Sequence, residues 1–240
     1  MLVPLLACGV VSAAEVQLAV AANFAAPLAK IGERFTAGTG HVIKASAGPT
    51  GKFYTQIVSG APFEVLIAAD DETPKKLVAE GHAVSGSNFT YAIGQLVLWS
   101  SRPGQVDEAG AVLAGDGYAR LAIANPKVAP YGKAAMEVLQ ARGLVAHATP
   151  RLVTGDSIAQ AYQFVASGNA EIGFVALSQI AVPGKPVTGS MWRVPSGLYG
   201  EIRQDAVLLK AGENSAAARA LLDYLKGPEA RAVIQSFGYR

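Results

Sequence analysis

The sequence predicts an α/β protein made of two units, each a mostly parallel β-sheet flanked by helices. Short apolar runs alternate with helical patterns through most of the 240 residues, which is typical of parallel strands joined by helices. A longer apolar run at residues 92–100 is suited to crossing between two units. Because 51% of the residues are hydrophobic and only 16% are charged, the chain can bury a substantial core.

The first unit is predicted from three strand–helix pairs. We expect strands at 16–21, 42–46 and 65–69, and helices at 25–35, 51–59 and 73–80. Gly38 or Gly40 should end the first helix, and Thr73-Pro74 supplies an N-cap and N1 pair for the third.

The second unit repeats this alternation and is followed by a return to strand and helix. The predicted strands are 121–124, 151–153, 172–175 and 206–210, and the predicted helices are 132–142, 157–167 and a pair over 215–236 split near Gly227-Pro228. Residues 181–190, rich in Pro, Gly and Val, read as a connector. Two such units leave a cleft between them, and ligands of such sheets bind at the carboxyl ends of the strands.

Residues 1–14 are apolar, uncharged and end in small residues, which is typical of a secretory signal peptide. The basic segment that usually precedes such a run is missing, so the recorded start is expected to lie downstream of the true one. A buried N-terminal strand is the alternative interpretation. Cys8, the one cysteine, lies in this leader, and Leu6-Ala7-Cys8-Gly9 faintly resembles a lipoprotein cleavage site. We expect an exported, periplasmic protein, with a lipid anchor through Cys8 as the alternative.

Several kinds of chemistry find little support in the sequence. The net charge of +2 and the lack of a densely basic stretch argue against nucleic acid as a partner. The three histidines have no partner at metal-ligand or triad spacing, and no nucleophile elbow is present. Asp70-Asp71 follows a strand and could hold magnesium, but a turn-capping role is the favoured interpretation.

Uncharged polar turns at predicted helix starts are the strongest functional signal. One turn carries Ala22 and Asn23, and another carries Thr50 and Gly51; each follows an apolar run. A helix N-terminus presents free N–H groups and the positive end of its dipole, so such turns bind anions. Turns of the same kind precede the helices near Tyr131, and near Ser157 and Ile158. Each polar side chain could be a simple N-cap, but four starts facing one cleft predict an anion site.

The chain resembles the periplasmic molybdate-binding proteins of ABC importers at these same turns and beyond. The resemblance is carried by Ala21-Ala22-Asn23-Phe24, by residues 48–57 and 60–70, by 122–126 and 130–132, by 160–165 and 173–179, and by 227–230. It implies a two-lobed type II periplasmic binding protein, with lobe I at 15–91 plus 196–240 and lobe II at 92–195.

The resemblance also implies the ligand set. Asn23 and Thr50 would hold the oxyanion from one lobe, and the backbone N–H groups of Tyr131 and Ile158 would hold it from the other. Ala22, Gly51 and Ser157 are possible additional contacts. Ala176 stands where some relatives carry a tyrosine, so that hydroxyl donor is missing and the Asn23 amide is expected to compensate. Pro49 has no N–H to give.

A site made only of donors suits molybdate or tungstate, whose oxygens only accept hydrogen bonds. Phosphate keeps a proton near neutral pH, and a donor-only pocket leaves it unpaired. Sulfate must be excluded by size. We therefore expect a monomeric, non-enzymatic receptor without a cofactor that delivers molybdate, and also tungstate, to a membrane permease. A receptor for sulfate or another tetrahedral oxyanion is one alternative, and an exported enzyme acting on a small anion is another. Lys52 and Lys133 are expected at the rim, outside direct contact with the ligand.

Overall fold

Two five-stranded sheets, each covered by helices, form two lobes in the computed structural model, which describes residues 13–240. The strands are β1 (Glu15–Ala21), β2 (Val42–Gly48), β3 (Val65–Ile67), β4 (Phe89–Gly94), β5 (Leu96–Ser100), β6 (Leu121–Ala124), β7 (Leu152–Gly155), β8 (Ile172–Ala176), β9 (Ser190–Arg193) and β10 (Ile202–Leu208). The helices are α1 (Ala25–Thr39), α2 (Thr50–Val58), α3 (Glu72–Ala79), α4 (Pro130–Ala141), α5 (Val145–Ala148), α6 (Ile158–Ala166), α7 (Leu177–Ile180), α8 (Ala216–Lys226) and α9 (Pro228–Ser236).

The two sheets have matching topologies. The first has the order β2-β1-β3-β10-β4 and the second β7-β6-β8-β5-β9. In each, the first three strands are parallel, and the fourth is antiparallel to both of its neighbours. Four strands of each sheet therefore share one direction, as the prediction of mostly parallel sheets requires, with β10 and β5 reversed.

The chain passes between the sheets twice, between β4 and β5 and again between β9 and β10. The single strand predicted at 92–100 is wrong in one respect, because it is two strands separated by Gln95. A Cβ atom at Gly94 would overlap the Tyr131 hydroxyl and the Gln204 amide, so this crossing needs glycine. The lobe boundary predicted at residue 91 falls inside β4, which stays in the first sheet as far as Gly94.

Other local differences have simple causes. The predicted connector at 181–190 leads directly into β9, an edge strand with four residues that pairs with β5 and that the sequence did not reveal. The prediction that Thr73 is the N-cap of α3 is wrong, because the helix begins one residue earlier, at Glu72. The Thr73 N–H donates to Asp70 Oδ1 at 2.8 Å, as expected if Asp70 caps the turn. Gly40, with a φ of 74°, ends α1 as expected of a left-handed cap residue.

The core of the first lobe lies on both faces of its sheet. Leu18 of β1 packs with α1, α8 and α9, whereas the next residue, Ala19, packs with α2 and α3. Successive strand residues point to opposite faces, so β1 is apolar and buried from Leu18 to Ala21, where both of its faces are covered. The second lobe has its own cluster around β5, β6 and β8.

The predicted leader, including Cys8, lies outside the described residues except for Ala13 and Ala14. Within the described part of the chain, none of the helices combines the length and apolar character needed to cross a membrane.

Candidate functional site

Four helix starts converge on one small cavity between the lobes. The cavity has a volume of about 10 Å³, and Asn23, Thr50, Tyr131 and Ile158 all line it, together with Ala22. Asn23 lies on the turn after β1, and Thr50 is the first residue of α2. Tyr131 lies in the first turn of α4, and Ile158 begins α6. The remaining lining residues are Ala21, Gly48, Pro49, Ala69, Ala129 and Pro130.

Thr50 presents a hydroxyl hydrogen to this cavity. Its side chain is almost completely buried, and its Oγ1 accepts a hydrogen bond from the backbone N–H of Ala69 at 3.0 Å. Among the described residues, nothing accepts the hydrogen of this hydroxyl. Because one lone pair is occupied and the hydrogen is not, Thr50 is prepared to donate to an acceptor in the cavity.

The second lobe contributes backbone donors. The N–H groups of Tyr131 and Ile158 are at the starts of α4 and α6, where no preceding turn can accept from them. Neither N–H has an acceptor anywhere in residues 13–240. Both residues are buried, so these two donors are available to a ligand and hardly to bulk water.

The Asn23 side chain is placed as predicted but is turned differently. Its Nδ2 donates to Gln204 Oε1 at 2.9 Å and to the Tyr239 hydroxyl at 2.8 Å, neither of which belongs to a cavity-lining residue. Its Oδ1 is buried without a hydrogen-bond partner among the described residues. In this orientation the amide offers an acceptor, and not the expected donor, at its free end.

Two of the possible additional contacts are not brought to the cavity. The N–H of Gly51 donates to the Val128 carbonyl at 3.0 Å, so it is already used. The Ser157 hydroxyl caps α6 by accepting from the Gln160 N–H at 3.3 Å. Neither residue lines the cavity, whereas Ala22 does.

The cavity is lined by uncharged residues only. Lys52 pairs with Asp156 at 2.7 Å and Lys133 pairs with Glu72 at 3.6 Å, and all four side chains are largely exposed. Both pairs join the two lobes outside the cavity, as expected of rim positions. Helix dipoles and N–H groups are therefore the positive elements that face the cavity.

A resident metal has no obvious place in the described residues. Over residues 13–240, no group of three or more His, Cys, Asp or Glu side chains is arranged to hold a metal ion. The two carboxylates predicted as a possible magnesium site have other partners: Asp70 accepts from the Thr73 N–H, and Asp71 pairs with Lys75. Burial raises the pKa of the Asp70 carboxyl group.

Sequence reasoning missed the residues directly behind the cavity. Gln204 of β10, Tyr239 near the C-terminus and Ser178 of α7 all bond to Asn23; the Ser178 hydroxyl donates to the Asn23 carbonyl at 2.9 Å. A single glutamine in a strand and a tyrosine near a terminus show no local sequence pattern that would indicate a place near the binding site. Their position follows only from the pairing of β10 and the packing of the C-terminus.

The chain is similar to known proteins over nearly its whole length. The family profile described as "Bacterial extracellular solute-binding protein" matches residues 16–240. The molybdate-binding protein ModA of Azotobacter vinelandii is 59% identical over 235 residues, covering 98% of this chain and 93% of that protein. ModA of Rhodobacter capsulatus is 57% identical over 228 residues, covering 95% of this chain and 89% of the relative.

A solved structure shows the same architecture. The periplasmic molybdate-binding protein of Azotobacter vinelandii superposes with a TM-score of 0.91 at 44% identity, covering 94% of this chain and 98% of that one. The two-lobed arrangement with matched sheets is therefore shared over almost the whole length of both chains.

Proposed function

The chain belongs to the family of bacterial extracellular solute-binding proteins, and we propose that it captures molybdate outside the cytoplasm and delivers it to an ABC importer. One observation carries this proposal: a cavity lined by uncharged residues holds the Thr50 hydroxyl and the N–H groups of Tyr131 and Ile158, which have no acceptor within residues 13–240. The names of the relatives that are 57–59% identical specify the anion.

The chemistry of the donors matches a fully deprotonated dianion. Each oxygen of molybdate or tungstate accepts hydrogen bonds and donates none, so hydroxyl and N–H donors satisfy it without a protein acceptor. Hydrogen bonds to a charged partner contribute roughly 1.5–3 kcal/mol each. Several such bonds, together with the helix dipoles, can therefore stabilise a dianion without a lysine or arginine in contact.

Thr50, through its hydroxyl hydrogen, and the N–H groups of Tyr131 and Ile158 cannot accept the proton that phosphate keeps near neutral pH. Among the described residues, Asn23 Oδ1 is an unpaired acceptor on a lining residue, so exclusion of phosphate requires the Asn23 amide to present its nitrogen to the anion. An unpaired buried polar group costs roughly 1–3 kcal/mol. Sulfate carries no such proton. It is smaller, so its hydrogen bonds in a cage formed for molybdate would be longer and weaker.

The cellular setting follows from the family. We infer that the protein works in the periplasm as a monomer, with a membrane permease as its partner, and that molybdate or tungstate is cargo and not a cofactor. Closure of the lobes around the anion is the step that would prepare the protein for delivery. Catalysis has no part in this proposal.

A titration with four anions tests the proposed function. Molybdate, tungstate, sulfate and phosphate are each added to the protein, and melting temperature and the fluorescence of the buried Trp99 and Trp192 are recorded. An anion at 100 times its Kd stabilises the folded state by about 2.7 kcal/mol, so molybdate and tungstate should raise the melting temperature by several degrees.

The relative effects of the four anions distinguish a molybdate receptor from the alternatives. We expect phosphate and sulfate to shift the melting temperature little at the concentration that saturates with molybdate. Equal stabilisation by sulfate and molybdate would indicate a general oxyanion receptor, and chemical turnover of an anion would indicate an enzyme.

A further inference from the structure

A buried hydrogen-bond network connects the cavity to residues behind it. Asn23 Nδ2 donates to Gln204 Oε1, and Gln204 Nε2 donates to the Tyr131 hydroxyl at 3.0 Å. The Tyr91 hydroxyl lies 2.9 Å from Gln204 Oε1, and the Tyr239 hydroxyl lies 2.8 Å from Asn23 Nδ2. Gln204 is completely buried, so water does not satisfy its amide. The network crosses between the lobes, because Gln204 lies on β10 and Tyr131 on α4.

The orientation of the two amides leaves hydrogen-bonding capacity unused. Asn23 Oδ1 is buried without a partner among the described residues. The Tyr131 hydroxyl accepts from Gln204 but finds no acceptor in residues 13–240 for its own hydrogen. The single hydrogen of the Tyr91 hydroxyl faces two acceptors, Gln204 Oε1 and the Ala68 carbonyl, both at 2.9 Å.

We propose that Gln204 is a positioning residue for the oxyanion: its amide and that of Asn23 rotate together by 180°, which turns Asn23 Nδ2 from Gln204 towards the bound anion. This inference rests on the proposed function and assigns a role to a residue that does not line the cavity. It requires no movement of the backbone, because rotation of a planar amide exchanges its oxygen and nitrogen in place.

The rotated arrangement satisfies the groups that are unpaired. Gln204 Nε2 has two hydrogens, which then go to Asn23 Oδ1 and to the Tyr91 hydroxyl. The hydrogen of Tyr91 is then used for the Ala68 carbonyl alone. Gln204 Oε1 accepts the hydrogen of Tyr131, which had no acceptor. Both hydrogens of Asn23 Nδ2 are then released from Gln204 and Tyr239, on a residue that lines the cavity.

The tyrosines of the network keep the protons that this arrangement needs. Burial raises the pKa of the Tyr91, Tyr131 and Tyr239 hydroxyl groups above their ordinary value. Each is therefore a neutral donor at physiological pH. The Tyr239 hydroxyl, which now donates to the Asn23 carbonyl or to Ser178 Oγ, each at 3.0 Å, then donates to Asn23 Oδ1 instead. The Ser178 hydroxyl continues to donate to the Asn23 carbonyl.

The rotation has to involve both amides. If Asn23 turned alone, its Oδ1 would face Gln204 Oε1 at the 2.9 Å that now separates donor and acceptor, and two acceptors at that distance repel each other. Gln204 therefore decides whether Asn23 can present its donor.

A double-mutant cycle with molybdate as the probe tests this role. Gln204→Met keeps the length of the side chain but removes both its donor and its acceptor. We expect it to weaken molybdate binding at least tenfold by calorimetry. In the Asn23→Ala background the same change should alter affinity less than twofold, because the residue that Gln204 positions is gone.

Gln95→Met is the matched control. Gln95 is a partly buried glutamine at the neighbouring crossing, and its amide donates to the Gly238 carbonyl and not to Asn23. Gln95→Met should change the molybdate affinity by the same factor in the unmodified protein and in the Asn23→Ala background. Wild-type affinity in Gln204→Met, or an equal loss in both backgrounds, would overturn the positioning role. Failure of the unmodified protein to bind molybdate would instead contradict the proposed function.

A measurement on the unmodified protein covers the case in which Gln204→Met does not fold. The side-chain amide resonances of Gln204 in ¹⁵N-labelled protein should shift when molybdate is added. In Asn23→Ala at saturating molybdate the shift should be clearly smaller, because lobe closure still moves Tyr131 against Gln204 but the amide does not rotate. A shift of equal size in both proteins would overturn the proposal. Unchanged Gln204 resonances in the unmodified protein would overturn the proposal.

Discussion

Thr50 illustrates how one hydroxyl is prepared for an anion by its neighbour. The Ala69 N–H occupies one lone pair of Oγ1 at 3.0 Å, which directs the hydroxyl hydrogen elsewhere. The side chain is 1% exposed, so this hydrogen is withheld from bulk water. A donor that is fixed before the ligand arrives loses little conformational entropy on binding.

Removal of this hydroxyl is the prediction at the residue scale. Thr50→Val keeps the shape of the side chain, and it should weaken molybdate binding about 10- to 100-fold because one charge-assisted hydrogen bond of roughly 1.5–3 kcal/mol is lost. Thr50→Ser retains the hydroxyl and is the control, with affinity close to that of the unmodified protein. Calorimetry compares the two, and equal affinities would show that the hydroxyl does not touch the anion.

The residues of the site differ in how far the sequence could predict them. Thr50, Tyr131 and Ile158 stand at helix starts, and a helix start exposes its N–H groups whatever the tertiary structure. Gly51 and Ser157 stand at the same starts, but the Gly51 N–H donates to the Val128 carbonyl, and neither residue lines the cavity. Which of several adjacent donors remains free depends on packing between lobes, and the sequence alone does not encode that locally.

Helix α4 shows how an element can be fixed close to a strand. A Cβ atom at Gly132 would overlap the Ala124 carbonyl at the end of β6, so only glycine lets α4 approach this closely. That approach sets the position of the preceding residue, Tyr131, and with it the backbone N–H that lines the cavity. Glycine is needed at position 132 because it has no side chain. Its backbone conformation does not require glycine, since its φ is not positive.

Gly132→Ala is the prediction at the scale of the element. The helix must move away from β6, which should cost about 1–3 kcal/mol of unfolding free energy and weaken molybdate binding. Gly38→Ala in α1 is the control, since nothing lies within 4 Å of the added methyl group and alanine favours the helix. Urea unfolding and calorimetry measure both effects. If Gly132→Ala bound molybdate as tightly as Gly38→Ala does, the close packing of α4 on β6 would not determine the position of the Tyr131 N–H.

At the same scale, continuous apolar runs are the clearest signal for strands in this sequence. Strands β1 and β6 are covered on both faces, so they carry a strong local signal. Strand β9 has four residues at a sheet edge, and the division of β4 from β5 depends on contacts with Tyr131 and Gln204. Such features are set by residues distant in sequence, so local periodicity cannot show them.

At the scale of the whole molecule, the lobes are held together by polar contacts around the cavity. The Gly51 N–H donates to the Val128 carbonyl, and the Ser178 hydroxyl donates to the Asn23 carbonyl, each between elements of different lobes. These contacts form only when the lobes are close, so an anion that bonds to Thr50 and Tyr131 together would favour the same arrangement. Binding and closure are therefore expected to be one coupled equilibrium.

The ion pair between Lys52 and Asp156 tests whether that closure depends on surface charge. Both side chains are largely exposed, and such pairs contribute roughly 0–1 kcal/mol. Lys52→Ala should therefore weaken molybdate binding less than about fivefold, and the difference should disappear near 1 M salt, where the screening length is about 3 Å. Lys30→Ala, which removes an exposed pair within α1, is the control and should leave affinity unchanged. Because the residues that line the cavity are all uncharged, neither variant should abolish binding. Complete loss of binding in Lys52→Ala at high salt would mean that Lys52 contacts the anion directly and that charge, and not hydrogen-bond geometry, holds it.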